Sequence, residues 1–128
     1  MATSVSHDIR IDVRPRYEPA HSDPKLGKYV FSYRITITNG GSMAVQLLRR
    51  SWTIWDSLAP LRQVEGPGVV GETPVIDPGG SYTYSSFCDL RSSMGRMHGS
   101  YLMERVGTSE RFMAPIPAFD LLAPWLAA

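Results

Sequence analysis

Apolar and polar residues alternate with a period of two along most of this chain, a pattern that predicts β-strands. The clearest alternation places its apolar side chains on one face of a single strand: Tyr29, Phe31, Tyr33, Ile35 and Ile37. Shorter alternations occur at residues 9–13, 45–54, 75–76, 81–85, 97–103 and 111–117. The pattern therefore predicts about seven to eight short strands.

Proline and glycine interrupt the chain at short intervals, with 10 prolines and 11 glycines. No stretch of roughly ten residues keeps a helical period without one of them. Many short strands separated by turn residues favour an all-β fold, in which two sheets form a sandwich. We predict one domain over residues 1–128, because neither a linker nor an internal repeat divides the chain.

Two irregularities are visible within the predicted strands. The inward-facing apolar set changes parity between Leu47 and Trp52, which predicts a β-bulge at residues 48–50. Gly99 interrupts the alternation of a later strand and predicts a bulge or a close approach of two backbones.

Composition and charge narrow the classes of partner and compartment. A net charge of +1 with 20% charged residues argues against a nucleic-acid partner, since such proteins carry a basic excess. Cys88 is the only cysteine, so no disulfide framework is expected. The polar start and the lack of a long apolar run predict neither a signal peptide nor a membrane span. We therefore expect a cytoplasmic protein.

Gly66, Gly68 and Gly71 form a GxGxxG sequence near the middle of the chain. In dinucleotide-binding folds this motif follows a strand and opens a helix. Here Pro74 and Pro78 follow within a few residues, and proline is incompatible with a helix interior. The sequence therefore predicts a glycine-rich connection between strands rather than a dinucleotide-binding fold.

Two functions for this loop remain open from the sequence. The candidate phosphate-binding loop comprises Gly66, Gly68, Val69 and Gly71, with the amides of the first three as donors in an anion-binding nest. The candidate countercharges are Arg49, Arg50 and Arg62. The alternative, which the sequence favours, is that the glycines only permit a sharp connection between strands.

No arrangement typical of catalysis appears. His7, His21 and His98 lie in three different segments, and Cys88 has no histidine nearby in the sequence. We therefore predict no enzyme, no catalytic residues, no metal site and no cofactor. Two segments are candidate surfaces for a protein partner: the proline-rich crossing at residues 16–28 and the apolar tail at residues 119–128. The tail is expected to pack on the sandwich or on a second copy, as in a homodimer.

Several separated motifs resemble the ApaG family of small bacterial proteins. The similarity runs from about Ile9 to Leu122 and rests on these groups of residues: Arg16-Tyr17, Ser22-Asp23-Pro24, Tyr29-Val30-Phe31, Ile35-Thr36-Ile37, Val45-Gln46-Leu47-Leu48 with Arg50 and Trp52, Gly66-Pro67-Gly68-Val69-Val70-Gly71, Met94-Gly95 with Met97, Gly99, Tyr101 and Met103, and Pro115-Ile116-Pro117 with Phe119. The family glycine loop commonly has an acid where this chain has Pro67.

The resemblance implies a fibronectin type III or immunoglobulin-like β-sandwich. It also implies an association with cobalt and magnesium tolerance and with diadenosine tetraphosphate metabolism, although neither association names a reaction. We predict a non-enzymatic protein-interaction module. The alternative is nucleotide or pyrophosphate binding through the loop at residues 66–71.

Overall fold

Two antiparallel sheets face each other in the computed structural model, which describes residues 1–126. The strands are β1 (Ala2–Ser6), β2 (Ile9–Tyr17), β3 (Tyr29–Asn39), β4 (Val45–Asp56), β5 (Ala59–Pro67), β6 (Val75–Ile76), β7 (Ser81–Leu90), β8 (Met94–Arg105) and β9 (Arg111–Leu122). Short 3-10 turns lie at Pro19–His21, Pro24–Leu26 and Pro124–Leu126. The predicted all-β sandwich is confirmed. The finer likeness to fibronectin type III and immunoglobulin domains stays a prediction.

The two sides of the sandwich differ. One sheet has the order β1-β2-β3-β7, and the other has the order β5-β4-β8-β9 with β6 also paired to β4. At one side β1 meets β9, where the Ser4 hydroxyl donates to the Pro115 carbonyl at 2.8 Å. At the opposite side the edge strands are β5 and β7, and a cleft separates them.

The core lies between the sheets and is built from the alternating apolar positions. Its largest fully buried side chains come from both sheets and include Ile11, Phe31, Ile35, Leu47, Met97, Tyr101, Met103 and Leu121. The hydroxyls of Tyr84 and Tyr101 are hydrogen-bonded to each other across this core. Burying such side chains stabilises a fold by about 1.5–3 kcal/mol each, before the entropy of ordering them is subtracted.

Both predicted irregularities are confirmed. The pairing of β4 with β8 shifts between Leu47 and Arg49, so that Leu48 is the extra residue and the inward face passes to Arg50 and Trp52. The pairing of β8 with β9 shifts between Met97 and Gly99. A Cβ atom on Gly99 would lie 2.0 Å from the Ser51 carbonyl oxygen, so no side chain fits there.

Other elements depart from the sequence prediction. β1 and β5 were not predicted as strands, and β9 continues to Leu122 instead of ending near Pro117. The tail packs on its own sandwich, since the Trp125 ring lies 5.6 Å from that of Tyr17. Ala127 and Ala128, which end the predicted tail surface and the predicted domain, lie outside the described residues. Residues 1–126 contain no helix with the length and apolar character that crossing a membrane requires.

Candidate functional site

The glycine loop connects β5 to β6, two strands that pair with the same side of β4. β5 and β6 both pair with β4, and the chain between them turns back on itself through two hydrogen bonds between Val69 and Glu72, of 2.8 and 3.0 Å. The central residues, Val70 and Gly71, have φ angles of 48° and 80°. Positive φ at both positions defines a type I′ turn. The predicted connection between strands is therefore confirmed.

The three motif glycines have three different surroundings. Gly66 lies opposite Arg50 in the ladder, and a Cβ there would lie 3.0–3.2 Å from the Arg50 guanidinium. At Gly68, where φ is 61°, a Cβ would lie 2.2 Å from the Glu72 carbonyl oxygen. Gly71 has nothing within 4 Å of a Cβ position and is required only for its positive φ of 80°.

The loop amides are largely engaged within the protein. The Gly68 amide donates to the Leu48 carbonyl at 2.8 Å, and the Val69 amide donates across the turn at 2.8 Å. Two of the three donors predicted for an anion-binding nest are therefore occupied. The amides that find no acceptor in the described part of the chain are those of Val70 and Gly71 at the tip of the turn.

The three candidate arginines lie in two places. Arg50 faces inward because of the bulge in β4, and its Nη1 donates to the Pro67 and Gly68 carbonyls at 2.9 and 3.1 Å. Arg49, its neighbour in sequence, is exposed on the outer face of the same strand. Arg62 reaches from β5 to β7. The structure thus brings Arg50 and the loop together and leaves Arg49 apart.

Arg62 spans the open side of the sandwich. Its Nη2 donates to the Asp89 carbonyl at 2.5 Å, and its Nη1 lies 3.7 Å from the Asp89 carboxylate. The same Nη2 lies 3.7 Å from the Cys88 sulfur. These contacts join two edge strands that share no backbone pairing.

A cleft lies between β5 and β7, from the Arg62 contact to the glycine loop. It has two adjoining parts of about 210 and 180 Å³, and both are lined by Tyr33, Arg50, Trp52 and Ser86. Burial raises the pKa of Tyr33, and the neighbouring Ser86 hydroxyl partly offsets this. Burial also raises the pKa of the Cys88 thiol to about 11, an effect that the Arg62 charge partly opposes. Ser86 and Tyr33 were not predicted as site residues.

Comparison with known proteins gives the family. Residues 19–105 match the family model described as the ApaG domain. The chain belongs to the ApaG family. It is 44% identical over 124 residues to the protein ApaG of Azoarcus sp. (strain BH72), covering 97% of each chain. It is also 44% identical over 126 residues to the protein ApaG of Rhizobium meliloti (strain 1021), covering 98% of this chain and 96% of the relative.

A solved structure agrees with the fold of this ApaG-family chain. The crystal structure of an ApaA protein from Bordetella pertussis superposes with a TM-score of 0.87 at 39% identity, covering 91% of this chain and 94% of that one. The predicted family resemblance is therefore confirmed over almost the full length of the chain.

The three histidines of this ApaG-family sandwich lie in separate places. His7 stacks on Phe112 with ring centroids 4.8 Å apart, and the rings of His21 and Phe87 are 6.1 Å apart. His98 lies in β8 opposite Thr53. Within residues 1–126 no three His, Cys, Asp or Glu side chains converge as a metal site.

Asp56 is the best-anchored carboxylate of the described chain. It accepts hydrogen bonds from the Arg91 amide at 2.6 Å, the Ser92 hydroxyl at 2.8 Å and the Leu58 amide at 3.1 Å. Burial acts to raise the pKa of Asp56, but these donors outweigh it and the pKa is lowered overall. The carboxylate ties the β4–β5 turn to the β7–β8 turn, which is a structural role.

Proposed function

We propose that this ApaG-family chain is a non-enzymatic protein-interaction module that binds through one end of the sandwich. The observation that carries the proposal is the meeting of the two segments predicted separately as partner surfaces. The Trp125 ring of the tail lies 5.6 Å from the ring of Tyr17, at the start of the crossing, and 6.4 Å from that of Tyr29, the residue that follows the crossing. Trp125 is nevertheless 56% exposed.

The crossing and the tail both lie close to the turn between β7 and β8. A Cβ on Gly27 would lie 3.7 Å from the Arg91 carbonyl oxygen, and the Ala123 amide donates to the Ser93 carbonyl at 2.9 Å. We name the exposed apolar residues of these two segments the crossing–tail surface; they are Leu26, Trp125 and Leu126.

An exposed tryptophan braced by two tyrosines is suited to anchoring a partner. Its ring offers a large apolar area, and its neighbours already restrict its rotamers, so that less entropy is lost on binding. Tryptophan is also among the residues that most often dominate the energy of protein interfaces. A partner would therefore present an apolar pocket or a complementary aromatic side chain to Trp125.

The processes in which a partner is expected are those associated with the family. Members are associated with cobalt and magnesium tolerance and with diadenosine tetraphosphate metabolism, so we look for the partner among cytoplasmic proteins of those processes. Burial raises the pKa of the Cys88 thiol, so this cysteine stays protonated at neutral pH and is a poor nucleophile. Nucleotide binding by the loop amides has less support, since Gly68 and Val69 already donate to protein carbonyls.

The proposal is tested by comparing two exposed tryptophans. Trp125→Ala removes the proposed anchor, while Trp55→Ala truncates a tryptophan that is 44% exposed on β4. Truncating an interface anchor costs about 2 kcal/mol or more, which is roughly thirtyfold in affinity. We expect a defined protein retained from cell extract by the wild type and by Trp55→Ala, and lost with Trp125→Ala.

Equal retention of that protein by both variants would contradict the proposed surface. Circular dichroism must first show that Trp125→Ala is folded, because the ring also packs on Tyr17 and Tyr29. Sedimentation of the purified chain addresses the predicted homodimer. A dimer that dissociates on Trp125→Ala would identify the partner as a second copy.

A further inference from the structure

The cleft between β5 and β7 is polar where a sandwich interior is normally apolar. Positions that face the other sheet usually carry core side chains. At this open side the inward-facing positions of β4, β5 and β7 include Arg50, Arg62 and Ser86 instead. The half-buried position of Arg50 follows from the bulge at Leu48, which passes the inward face of β4 to residue 50.

Arg50 is the cation of this cleft that lacks a carboxylate. Arg62 lies close to the Asp89 carboxylate, whereas no acidic group of the described chain lies within 4.0 Å of the Arg50 guanidinium. The acceptors of Arg50 are the Pro67 and Gly68 carbonyls, and both bind Nη1. Partly burying a charge without an opposite charge is costly. An anion bound in the cleft would therefore be stabilised by the charge of the Arg50 guanidinium.

The remaining donors of Arg50 are accessible. Its Nε and Nη2 have no acceptor among residues 1–126, and no buried side-chain nitrogen or oxygen of the described chain lacks a partner. Both atoms therefore keep some exposure to solvent. Together Nε and Nη2 form one planar fork of a guanidinium, the group that binds two oxygens of a phosphate or carboxylate at once.

Gly66 and Gly68 fix the direction of this fork. The guanidinium lies close to Gly66, where a Cβ would be 3.0–3.2 Å from its Nη1, Nη2 and Cζ atoms. The carbonyls of Pro67 and Gly68 hold one end of it. The glycine motif thus positions an arginine whose Nε and Nη2 atoms are without a protein acceptor in the described chain.

We propose that this cleft binds a phosphoryl group, with the Nε and Nη2 atoms of Arg50 as the primary contact. The Ser86 hydroxyl lines both parts of the cleft and supplies a further donor. Arg62 lies at the far end of the cleft, where the Asp89 carboxylate offsets part of its charge. A phosphoryl group offers three oxygens to these donors, whereas a carboxylate offers two, so the arrangement favours the phosphoryl group. This site is independent of the crossing–tail surface.

The test is an NMR titration of the full chain, labelled with nitrogen-15, with inorganic pyrophosphate. We expect saturable shifts at the Arg50 Nε–H and at the amides of Ser86 and Val64, which line the cleft. Arg50→Lys keeps the charge but removes the fork, so affinity should fall about tenfold. Arg49→Lys is the matched control, because Arg49 lies on the outer face of the same strand. Its affinity should equal that of the wild type.

The outcomes are distinguishable. Absence of saturable shifts at millimolar pyrophosphate overturns the site, as does equal weakening by Arg49→Lys and Arg50→Lys. Acetate that saturates the same resonances as tightly as pyrophosphate overturns the assignment to a phosphoryl group. If Arg50→Lys does not fold, Ser86→Ala decides: a few-fold weaker affinity supports the site, and an unchanged affinity overturns it.

Discussion

Substituting Gly68 by alanine should destabilise the protein far more than the same change at Gly71. Gly68 comes just before the type I′ turn and Gly71 lies within it, and both have a positive φ, of 61° and 80°. They differ in surroundings. A Cβ at Gly68 would lie 2.2 Å from the Glu72 carbonyl oxygen and 2.9 Å from its carbon, whereas a Cβ at Gly71 meets nothing within 4 Å.

The magnitudes follow from these contacts. Alanine in the left-handed region costs about 1–2 kcal/mol, and Gly71→Ala should cost no more than this. At Gly68 the obstacle is backbone, so the turn must open and lose the two hydrogen bonds between Val69 and Glu72. Each bond contributes about 1 kcal/mol net. We therefore expect Gly68→Ala to lower the free energy of unfolding by about 3–4 kcal/mol, or about 2 kcal/mol more than Gly71→Ala.

Urea unfolding of the wild type and both variants measures this difference. The midpoints should separate while the slopes stay equal, which shows that the change lies in stability rather than in the unfolded state. The predicted difference rests only on the close approach of Gly68 to Glu72. Equal midpoints for Gly68→Ala and Gly71→Ala would therefore show that this approach does not destabilise the variant.

Three further predictions follow from local environments. The Cys88 thiol should resist alkylation in the native protein below its ordinary pKa of 9.0 and react increasingly as pH approaches about 11; its contribution to stability should be lost over the same interval, since the native pKa is raised. Asp56→Asn should cost about 2 kcal/mol at neutral pH, because an amide cannot accept all the bonds. That cost should shrink in acid, since the stability due to a lowered carboxyl pKa is present above 3.8 and is lost as pH falls through the native value; urea titrations at both pH values check it. Val70→Asn should raise the free energy of unfolding by about 1 kcal/mol in the same assay, because a β-branched residue tolerates a φ of 48° poorly.

The core strands were predictable because their alternation reports burial on one face. The set from Tyr29 to Ile37 became β3, and the change of parity after Leu47 located the bulge. Gly99 was also informative, since a glycine in a strand often marks a backbone that another backbone approaches closely. In each case burial or a close backbone approach restricts which residue types can occupy the position.

β5 was not predicted from the sequence because the positions that line the cleft are not regularly apolar. Its inward positions are Arg62, Val64 and Gly66, so hydrophobic alternation is missing where the sandwich is open. β1 was missed because its residues are mostly small and polar, and the ladder with β2 defines it. The separation of Arg49 from Arg50 depends on which face each strand position takes after the bulge. Convergence of Arg50, Arg62 and Ser86 across the sheets is a tertiary feature, with no local signal.

The glycine loop serves the protein's own packing, because the amides of Gly68 and Val69 are bound internally and Arg50 is held beside them. Hydrogen exchange of the individual loop amides, followed by NMR, tests this most directly. The amides of Gly68, Val69 and Glu72 donate to carbonyls and should be protected, while those of Val70 and Gly71 should exchange at nearly the rate of an open chain. Rapid exchange at Gly68 and Val69 would contradict the account, because these donors would then be free to bind an anion.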